Sequence, residues 1–327
     1  MVSVGLSAAS ATHVRLAVSC LWEVLASVRI LRDLGVPAVH RRWADRARPA
    51  LAANGLLAAL VAPSGGYTPD FLTPPPPGVA ADLSRELDGL RATPPAVVRA
   101  ELDLLPALSP ALRALRHDPG SALTRLATEI ENYWSVAIAP DWPRMRALLD
   151  AEVQRQARRL AEDGTAHVLN DLHERVTWTG GTLHIDQPHC PAPDVPEGAA
   201  GLILIPSVFV WPSVLSVTTG ETPQLAYPAR GVATLWEQSA QGPDALSAVL
   251  GRGRARLLAE MATPLSTTEL ARRTGITAGG VSQHLTTLRA AGLVVTHRRG
   301  RALLNARTAV ADALVAASHS GSTTAVG

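Results

Sequence analysis

The chain has 327 residues, of which 47% are hydrophobic and 18% are charged, and its formal net charge is only +2. This length suffices for two domains with separate cores, and the small net charge excludes a polycation. Any nucleic-acid binding must therefore rest on a local basic patch. The two cysteines, Cys20 and Cys190, exclude a disulfide framework.

The sequence predicts a cytoplasmic protein that does not enter the membrane. His13 and Arg15 fall where the apolar core of a secretory signal would lie. The longest apolar run is broken by Pro206 and Pro212, so no stretch reaches the length of a membrane span.

The N-terminal two thirds of the chain are predicted to be mainly helical. Apolar residues recur at helical spacing from residue 12 to residue 34, where Gly35 and Pro37 end the helix. The same spacing predicts helices at residues 39–60, 82–91, 95–105, 120–138 and 142–162, after a short strand at residues 2–6.

Residues 64–78 read SGGYTPDFLTPPPPG, which is the composition of an irregular loop with polyproline character. One interpretation is a proline-rich ligand for a partner protein. We prefer a stiff connector, because Tyr67 and Phe71 are residue types that attach a loop to a core.

The predicted helix at residues 142–162 carries a run of arginines on one face. A second DNA-contacting surface is one interpretation, and a solvated face paired with Glu152 and Glu162 is the more ordinary one. The arginines are Arg144, Arg146, Arg155, Arg158 and Arg159.

Beyond residue 170 the apolar pattern changes from helical to alternating. RVTWTGGTLHID predicts a hairpin about Gly180-Gly181, with Trp178 facing Leu183. The runs GLILIPSVFVW, VLSVTT and QLAYPAR predict further strands. The chain is therefore assigned to the α+β class, with a mainly helical N-terminal domain that contains a small antiparallel sheet.

All seven tryptophans precede a predicted linker at residues 238–243. A domain with this much indole can line a pocket for an apolar or aromatic small molecule, whereas simple core packing is the alternative for each residue. The candidate ligand-binding residues are Trp22, Trp134, Trp178 and Trp211.

A metal or haem site and an enzymatic site are alternatives for the N-terminal domain. Five possible metal ligands lie in one region, but no pair has a convincing ligand spacing: His167, His173, His184, His189 and Cys190. The Cys190-Pro191 pair resembles short haem-responsive motifs, which is a two-residue signal of low specificity. The sequence lacks a nucleophile elbow, a phosphate loop and a dinucleotide fingerprint, and it places Asp194, Glu197 and Glu221 in a Pro- and Gly-rich connection. We expect no enzyme, no metal and no cofactor.

Residues 266–307 read as a helix, a tight turn, a second helix and a basic hairpin. Ser266 can cap the first helix while Glu269 reaches back in a capping box. Gly275 suits the left-handed position at its end, and Thr277 can cap the second helix. A turn this short makes the two helices cross steeply.

The second of these helices is predicted to have a buried face and an exposed polar face. Helical spacing places Val281, Leu285, Leu288 and Ala291 inward. The opposite face carries residue types that contact bases or phosphates, Gln being suited to adenine: Ser282, Gln283, Thr286 and Arg289.

Three further residues of this helix are candidates for contacts to the DNA backbone. Thr277 lies at the helix start, and Gly279 lets that start approach a phosphate closely. His284 lies between the two faces, so a phosphate contact and a half-buried, satisfied histidine are both compatible with its position.

The basic hairpin reads LVVTHRRGRALLNAR, with a turn predicted at Arg299-Gly300. Arg298, Arg299 and Arg301 cluster at its tip. Positive charge there suits a phosphate or the minor groove and makes affinity dependent on salt, whereas a solvated tip is the alternative.

The motifs STTELARRTGITAGGVSQHLTTLRAAGLV and RRGRALL resemble the winged-helix domain of ArsR-type bacterial transcriptional regulators. The resemblance implies a winged helix-turn-helix that binds operator DNA as a homodimer. It also implies that the helices at residues 244–261 and 308–317 form the dimer interface. The metal-sensing members keep a cysteine pair at the start of the first helix, where this chain has Thr267, Thr268, Glu269 and Leu270. A thiol site for a soft metal is therefore not expected there.

The N-terminal region resembles a group of actinobacterial regulators in which a long uncharacterised domain precedes the ArsR-type winged helix. The similar stretches include SCLWEVLASVRILRD, YTPDFLTPPP, LIPSVFVWP and YPARGVATLWE. This resemblance implies a regulatory role without a known ligand.

The sequence thus predicts a transcriptional regulator, most simply a homodimeric repressor of double-stranded operator DNA with an inverted repeat. A regulatory domain that senses a small-molecule effector spans residues 1–237, the winged helix spans residues 244–317, and a disordered tail follows at residues 318–327. The alternative is a winged-helix protein that acts mainly through protein contacts.

Overall fold

The computed structural model describes residues 2–5, 13–187, 199–218, 222–236, 243–299 and 302–319. The chain divides into two compact units, Met1–Trp236 and Glu237–Gly327, called the N-terminal and C-terminal units below. Residues 238–242 of the predicted linker and residues 320–327 of the predicted tail lie outside the described residues. In the part of the chain that is described, no helix combines the length and apolarity needed to cross a membrane.

The N-terminal unit is mainly helical, and a long central helix, α7, packs against the six helices that precede it. The helices are α1 (Cys20–Arg32), α2 (Arg41–Ala52), α3 (Gly55–Leu60), α4 (Leu83–Arg91), α5 (Pro95–Leu102), α6 (Pro110–His117), α7 (Pro119–Ala137), α8 (Trp142–Asp163), α9 (Thr165–Asn170) and α10 (Val232–Leu235). Helices α6, α9 and α10 were not predicted, because all three are too short to give a clear periodic pattern.

The first sheet of this unit is antiparallel and contains the predicted hairpin about Gly180-Gly181. It contains β1 (Val2–Gly5), β3 (Val176–Thr179) and β4 (Thr182–Ile185) in the order β1-β4-β3. Trp178 pairs with Leu183 in the register that the alternating pattern predicts. The α+β class is confirmed.

A second sheet is mixed, although the sequence predicted only an antiparallel sheet. It contains β2 (Val14–Leu16), β5 (Leu202–Ser207), β6 (Leu215–Val217) and β7 (Gln224–Pro228) in the order β2-β5-β7-β6. Strand β5 pairs in parallel with both β2 and β7, while β6 and β7 are antiparallel. The side chains of β5 alternate between two hydrophobic cores: Ile203 and Ile205 lie in one, and Leu202 and Leu204 lie in the other. Burial on both faces explains the continuous apolar run.

The helix predicted from residue 12 to residue 34 is wrong in its first part, where the chain forms β2. Helix α1 begins only at Cys20, after the capping residue Ser19. The buried carboxylate of Glu86 accepts hydrogen bonds from the backbone N–H groups of Cys20 and Leu21, at 2.9 and 3.1 Å. This distant acceptor fixes the helix start and leaves residues 14–16 free to pair with β5.

The helix predicted at residues 39–60 is also wrong as a single element, since α2 and α3 are separate. Asn54 lies between them and donates from its side chain to the carbonyl of Ala50 at 2.7 Å. The carboxylate of Glu129 accepts from the N–H groups of Leu56 and Leu57, at 2.8 and 2.9 Å. The new helix start is therefore again satisfied by a residue remote in sequence.

The structure bears on two further predictions, one about the proline-rich loop and one about the arginines of α8. Phe71 in the proline-rich loop is buried, and its N–H donates to the carboxylate of Glu101 at 2.8 Å, so its predicted attachment to the core is confirmed. On α8, three arginines form ion pairs with acids: Arg146 with Asp150, Arg155 with Glu152, and Arg159 with Asp171. The predicted pairing with Glu152 is present, but Glu152 is buried and the three arginines are half-buried, so this part of the face is not fully solvated.

The C-terminal unit consists of five helices and a three-stranded antiparallel sheet among its described residues. The elements are α11 (Pro243–Leu250), α12 (Arg252–Glu260), β8 (Leu265–Ser266), α13 (Thr267–Thr274), α14 (Ala278–Ala290), β9 (Val294–Arg299), β10 (Ala302–Arg307) and α15 (Ala309–His319). The single helix predicted at residues 244–261 is wrong, because the chain breaks at Gly251, whose φ of 82° is left-handed.

Glu23 on α1 is fully buried, and its carboxylate accepts a hydrogen bond from the N–H of Val208 at 3.0 Å. Desolvation by burial nevertheless raises the pKa of Glu23 from 4.5 to about 8. The folded chain therefore keeps a proton that the unfolded chain releases above about pH 4.5. The free energy of unfolding consequently falls as pH rises through this window, up to about pH 8.

The variant Glu23→Gln has no group that titrates at this position, so it should lose the pH dependence that Glu23 adds to the free energy of unfolding. Its amide oxygen can still accept the hydrogen bond from the N–H of Val208. Between about pH 5 and pH 8, its free energy of unfolding should fall less than that of the unmodified chain, by about 1 kcal/mol or more. Urea unfolding followed by tryptophan fluorescence measures the difference. Glu174→Gln, at an exposed position, is the matched control, and equal pH dependence in both variants would contradict the assignment.

Candidate nucleic-acid interface

The first helix of the motif, α13, begins and ends where the sequence predicts. The hydroxyl of Ser266 accepts from the N–H of Glu269 at 3.2 Å, and Gly275 ends the helix with a left-handed φ of 69°. The carboxylate of Glu269, predicted to complete a capping box, instead binds Arg272 and Arg273, at 2.6 and 2.8 Å. Hydrogen bonds from these two arginines lower the pKa of Glu269 to about 2.

A turn of three residues connects α13 to α14. The hydroxyl of Thr277 accepts from the N–H of Gly280 at 3.2 Å and caps the second helix as predicted. Thr274, at the end of α13, is buried and donates to the carbonyl of Leu270 at 2.7 Å. These short-range contacts fix the direction in which α14 leaves the turn.

The inner face of α14 contains Val281, Leu285 and Leu288, which are all buried. Ala291, predicted to join them, is exposed because the helix ends at Ala290 and the chain turns away. Leu293, just beyond the turn, is buried in the core instead.

The outer face of α14 exposes Ser282, Gln283 and Thr286, as the pattern predicts. The hydroxyl of Thr286 donates to the carbonyl of Ser282 at 3.0 Å, a local bond that occupies its proton. The Gln283 side chain makes no hydrogen bond to any described residue, so both its amide N–H groups and its oxygen are available to a ligand. Arg289 donates from its Nε to the carbonyl of Leu285 at 3.1 Å.

His284 is half-buried and packs against α12. A Cβ atom built on Gly253 would lie only 2.7 Å from its Nε2 atom, so the ring occupies the space that the glycine leaves open. This contact favours the packing interpretation of His284. A phosphate contact from the exposed part of the ring stays a prediction.

Gly279 differs from Gly280 in its surroundings. A Cβ atom on Gly280 would meet Ile276 and Thr277 at 3.0 and 3.2 Å, whereas a Cβ atom on Gly279 would meet no atom within 4 Å. Packing inside the unit therefore does not require glycine at position 279. The close approach of a DNA backbone to this glycine stays a prediction.

The basic hairpin forms from β9 and β10, with β8 on the other side of β10. The buried Asn305 ties these strands together: its Oδ1 accepts from Thr296 at 2.9 Å, and its Nδ2 donates to Leu265 at 3.4 Å. Arg298 is exposed near the tip. The side chain of Arg299 and the whole of Arg301 lie outside the described residues.

Positive charge is concentrated in the C-terminal unit. Residues 243–319 contain ten arginines and four acidic residues, although the whole chain has a formal net charge of only +2. Two of the acids are already in ion pairs, Glu269 with Arg272 and Asp312 with Arg307. This unit therefore has the net positive charge that binding to phosphates favours.

The N-terminal unit contains a cavity of about 700 Å³ that two of the four candidate tryptophans line. Trp22 is buried in its wall, and Trp211 is half exposed. Trp134 instead packs edge-on against Trp142, with ring centroids 4.8 Å apart. Trp178 packs against the core beside the first sheet.

An aromatic cluster lies behind one wall of this cavity. Phe209 lines the cavity, and its ring centroid is 4.4 Å from that of Trp43 and 6.2 Å from that of Trp236. Trp236 donates from its indole N–H to Nδ1 of the buried His40 at 3.1 Å. Burial lowers the pKa of His40 to about 4, so its ring is neutral and accepts this bond.

Within the described residues, no group of three or more His, Cys, Asp or Glu side chains converges to hold a metal ion. His189 and Cys190, together with the acids Asp194, Glu197 and Glu221, lie outside the described part of the chain.

Residues 254–297 match the profile of a helix-turn-helix domain, a family typical of ArsR-like regulators. The matched stretch begins in α12 and ends in β9, and it contains both helices of the motif. No curated protein and no solved structure matches the chain. The helix-turn-helix domain indicates a role in DNA-binding regulation.

The contact between His284 and Gly253 can be tested with a double-mutant cycle. Gly253→Ala should lower the free energy of unfolding by about 1–3 kcal/mol, because the new methyl group overlaps the His284 ring. His284→Ala should remove that penalty, giving a coupling energy of about 1 kcal/mol or more. Urea unfolding measures all four chains. Gly279→Ala, with open space around it, is the control, and additive effects of the two mutations would contradict the contact.

Proposed function

We propose that this protein is a sequence-specific transcriptional regulator, acting as a homodimeric repressor of operator DNA. The observation that carries the proposal is the outer face of α14, where the side chains of Ser282 and Gln283 are exposed and have no partner among the described residues. Capping at the start of α13 and of α14 fixes this helix pair. The match to a helix-turn-helix domain and the arginine excess of the same unit support it.

Base recognition is assigned to Ser282 and Gln283. The Gln283 amide can form two hydrogen bonds to adenine in the major groove, and the hydroxyl of Ser282 can bond to a base or a phosphate. Thr277, Gly279 and Thr286 lie beside them for contacts to the DNA backbone. The hairpin arginines, Arg298, Arg299 and Arg301, supply charge toward phosphates or the minor groove.

Dimerisation is assigned to a surface formed by α11 and α15, which pack against each other within the chain. Val249, Val310 and Leu314 on these helices are 82%, 61% and 40% exposed. Grouped exposed apolar side chains typically mark an association surface. A two-fold dimer would place its recognition helices about 34–36 Å apart, which matches an inverted repeat.

A sensing role is assigned to the N-terminal unit, with the 700 Å³ cavity as the effector site. Phe209 separates the cavity from Trp236, the last residue of this unit before the chain enters the C-terminal unit. A ligand that displaces the Phe209 ring would disturb the packing of Trp236. Its effect would be a change in the spacing of the two recognition helices in the dimer.

A second candidate function is a winged-helix protein that acts mainly through protein contacts. The observation that favours it is the exposure of two apolar side chains on the hairpin strands, Val295 and Leu303. Such residues suit a protein surface better than a phosphate.

Two variants separate the recognition of bases from the sequence-independent attraction of arginine to phosphates. Gln283→Ala should lose about 1–3 kcal/mol of discrimination at one base pair. Arg298→Ala should weaken binding to every sequence and reduce the salt slope by about one unit. Salt titrations with DNA from the upstream region and with a scrambled duplex measure both effects. Equal loss on both duplexes for Gln283→Ala would contradict base recognition, and no binding to either duplex at low salt would favour the second candidate.

The dimer surface is tested by placing a charge on it. Leu314→Glu should shift the protein toward monomer and weaken operator binding by at least about tenfold, because a buried charge at an apolar interface costs several kcal/mol. Sedimentation velocity measures the mass, and circular dichroism checks the fold. Leu34→Glu, at an exposed position of the N-terminal unit, is the control, and a mass unchanged by Leu314→Glu would overturn the assignment.

A further inference from the structure

The cavity of the N-terminal unit lies between α1, the loop at residues 64–73 and the segment at residues 209–217. Its volume of about 700 Å³ is within the range of small-molecule sites. Its chemistry can be derived from the residues that line it.

Apolar and aromatic side chains form most of the wall. Trp22 and Phe209 contribute large flat surfaces, and both are almost fully buried. Leu25 and Ile30 of α1 extend the apolar wall. Flat aromatic walls favour a flat apolar ligand, because stacked and edge-on ring contacts stabilise it beyond the burial of area alone.

The wall residue Gln187 has its amide already engaged. Its Nε2 donates to the carbonyl of Val214 at 2.8 Å, and its Oε1 accepts from the hydroxyl of Ser216 at 2.9 Å. These bonds fix the segment at residues 213–217 as a stable wall. The indole N–H of Trp22 likewise donates to the side-chain oxygen of Gln224 at 3.0 Å. Neither group therefore needs a polar ligand.

Four charged residues line the cavity, and three of them have partners. Asp33 accepts from both the N–H and the hydroxyl of Ser64, each at 2.6 Å. Arg29 donates to the carbonyl of Gly66 at 3.4 Å, and Asp70 also has a partner.

The fourth charged residue, Arg175, is half-buried and lines the same cavity. Across the part of the chain that the structure describes, its guanidinium makes no hydrogen bond and no ion pair. A partly buried guanidinium without an acceptor is unfavourable, and a carboxylate matches its paired N–H groups in geometry and charge.

We propose that this cavity binds an aromatic carboxylate, with its ring against Trp22 and Phe209 and its carboxylate on Arg175. This inference rests on the sensing role proposed above and gives the effector its chemical class. An aromatic amine is disfavoured, because Asp33 and Asp70 already have partners and Arg175 repels a cation.

Three matched probes test the assignment on the full chain by isothermal titration calorimetry: 2-naphthoate, 2-naphthamide and 2-naphthylmethylamine. We expect 2-naphthoate to bind at least about tenfold more tightly than the amide, from the charge-assisted bond to Arg175. The amine should bind more weakly than the amide.

Arg175→Gln should reduce the affinity for 2-naphthoate to that for the amide and leave the amide unchanged. Arg158→Gln, at an exposed position of α8, is the matched control and should change neither affinity. Val36→Trp, which fills part of the cavity, should weaken both probes in a chain whose circular dichroism is unchanged. Equal affinities of acid and amide, an unchanged ratio in Arg175→Gln, or no binding of any probe at millimolar concentration would overturn the proposal.

The titrations contain no DNA, so their outcome is separate from that of the operator experiment. Binding of 2-naphthoate by a protein that binds no DNA would leave the ligand assignment standing and refute the regulator. Specific DNA binding by a protein that binds no probe would refute the ligand assignment alone.

Discussion

The N-terminal unit depends on buried or half-buried carboxylates that accept hydrogen bonds from backbone N–H groups far away in sequence. Glu86 serves the first turn of α1, Glu129 serves the first turn of α3, and Glu101 serves the loop at Phe71. The N–H groups at a helix start have no partner inside the helix, and a carboxylate also suits the positive end of the helix dipole. Since α1 begins only where Glu86 reaches it, the preceding residues form β2 and extend the mixed sheet. The same helix then provides one wall of the cavity. Fold and candidate ligand site therefore share one set of long-range polar contacts.

The C-terminal unit is organised by contacts between residues close in sequence. Ser266 binds the N–H of Glu269, Thr277 binds that of Gly280, and Gly275 takes the left-handed conformation that ends α13. Each contact spans about one helical turn, so the geometry of the helix pair follows from the local chain. The outer face of α14 can therefore carry polar side chains that the core does not need, which is the condition for reading DNA.

The two units contribute different chemistry to the proposed regulator. The C-terminal unit has an excess of arginine and exposes amide and hydroxyl groups on one helix. The N-terminal unit has an apolar cavity with one unpaired guanidinium among its described charged groups, and an aromatic cluster leads from Phe209 to Trp236. A protein in which an effector controls DNA binding needs both a surface for DNA and a cavity for the effector. His284 illustrates how a residue of α14 can serve packing instead, because its ring occupies the space that Gly253 leaves open.

The sequence by itself determined the elements whose signals are local: the caps and turn of the helix-turn-helix, the buried face of α14, the hairpin at Gly180-Gly181 and the α+β class. Periodicity and capping act over a few residues and can be read from a single chain. Only the tertiary structure decided the start of α1 and the break between α2 and α3, because the distant carboxylates of Glu86 and Glu129 fix them. It also decided the parallel pairing of β5 with β2 and β7, because parallel strands are joined by long connections that no local signal specifies. Tertiary packing also brought Trp22, Trp211 and Arg175 to one cavity while leaving Trp134 and Trp178 elsewhere. No spacing rule relates these residues, since their convergence depends on how α1 packs against the second sheet and its loops.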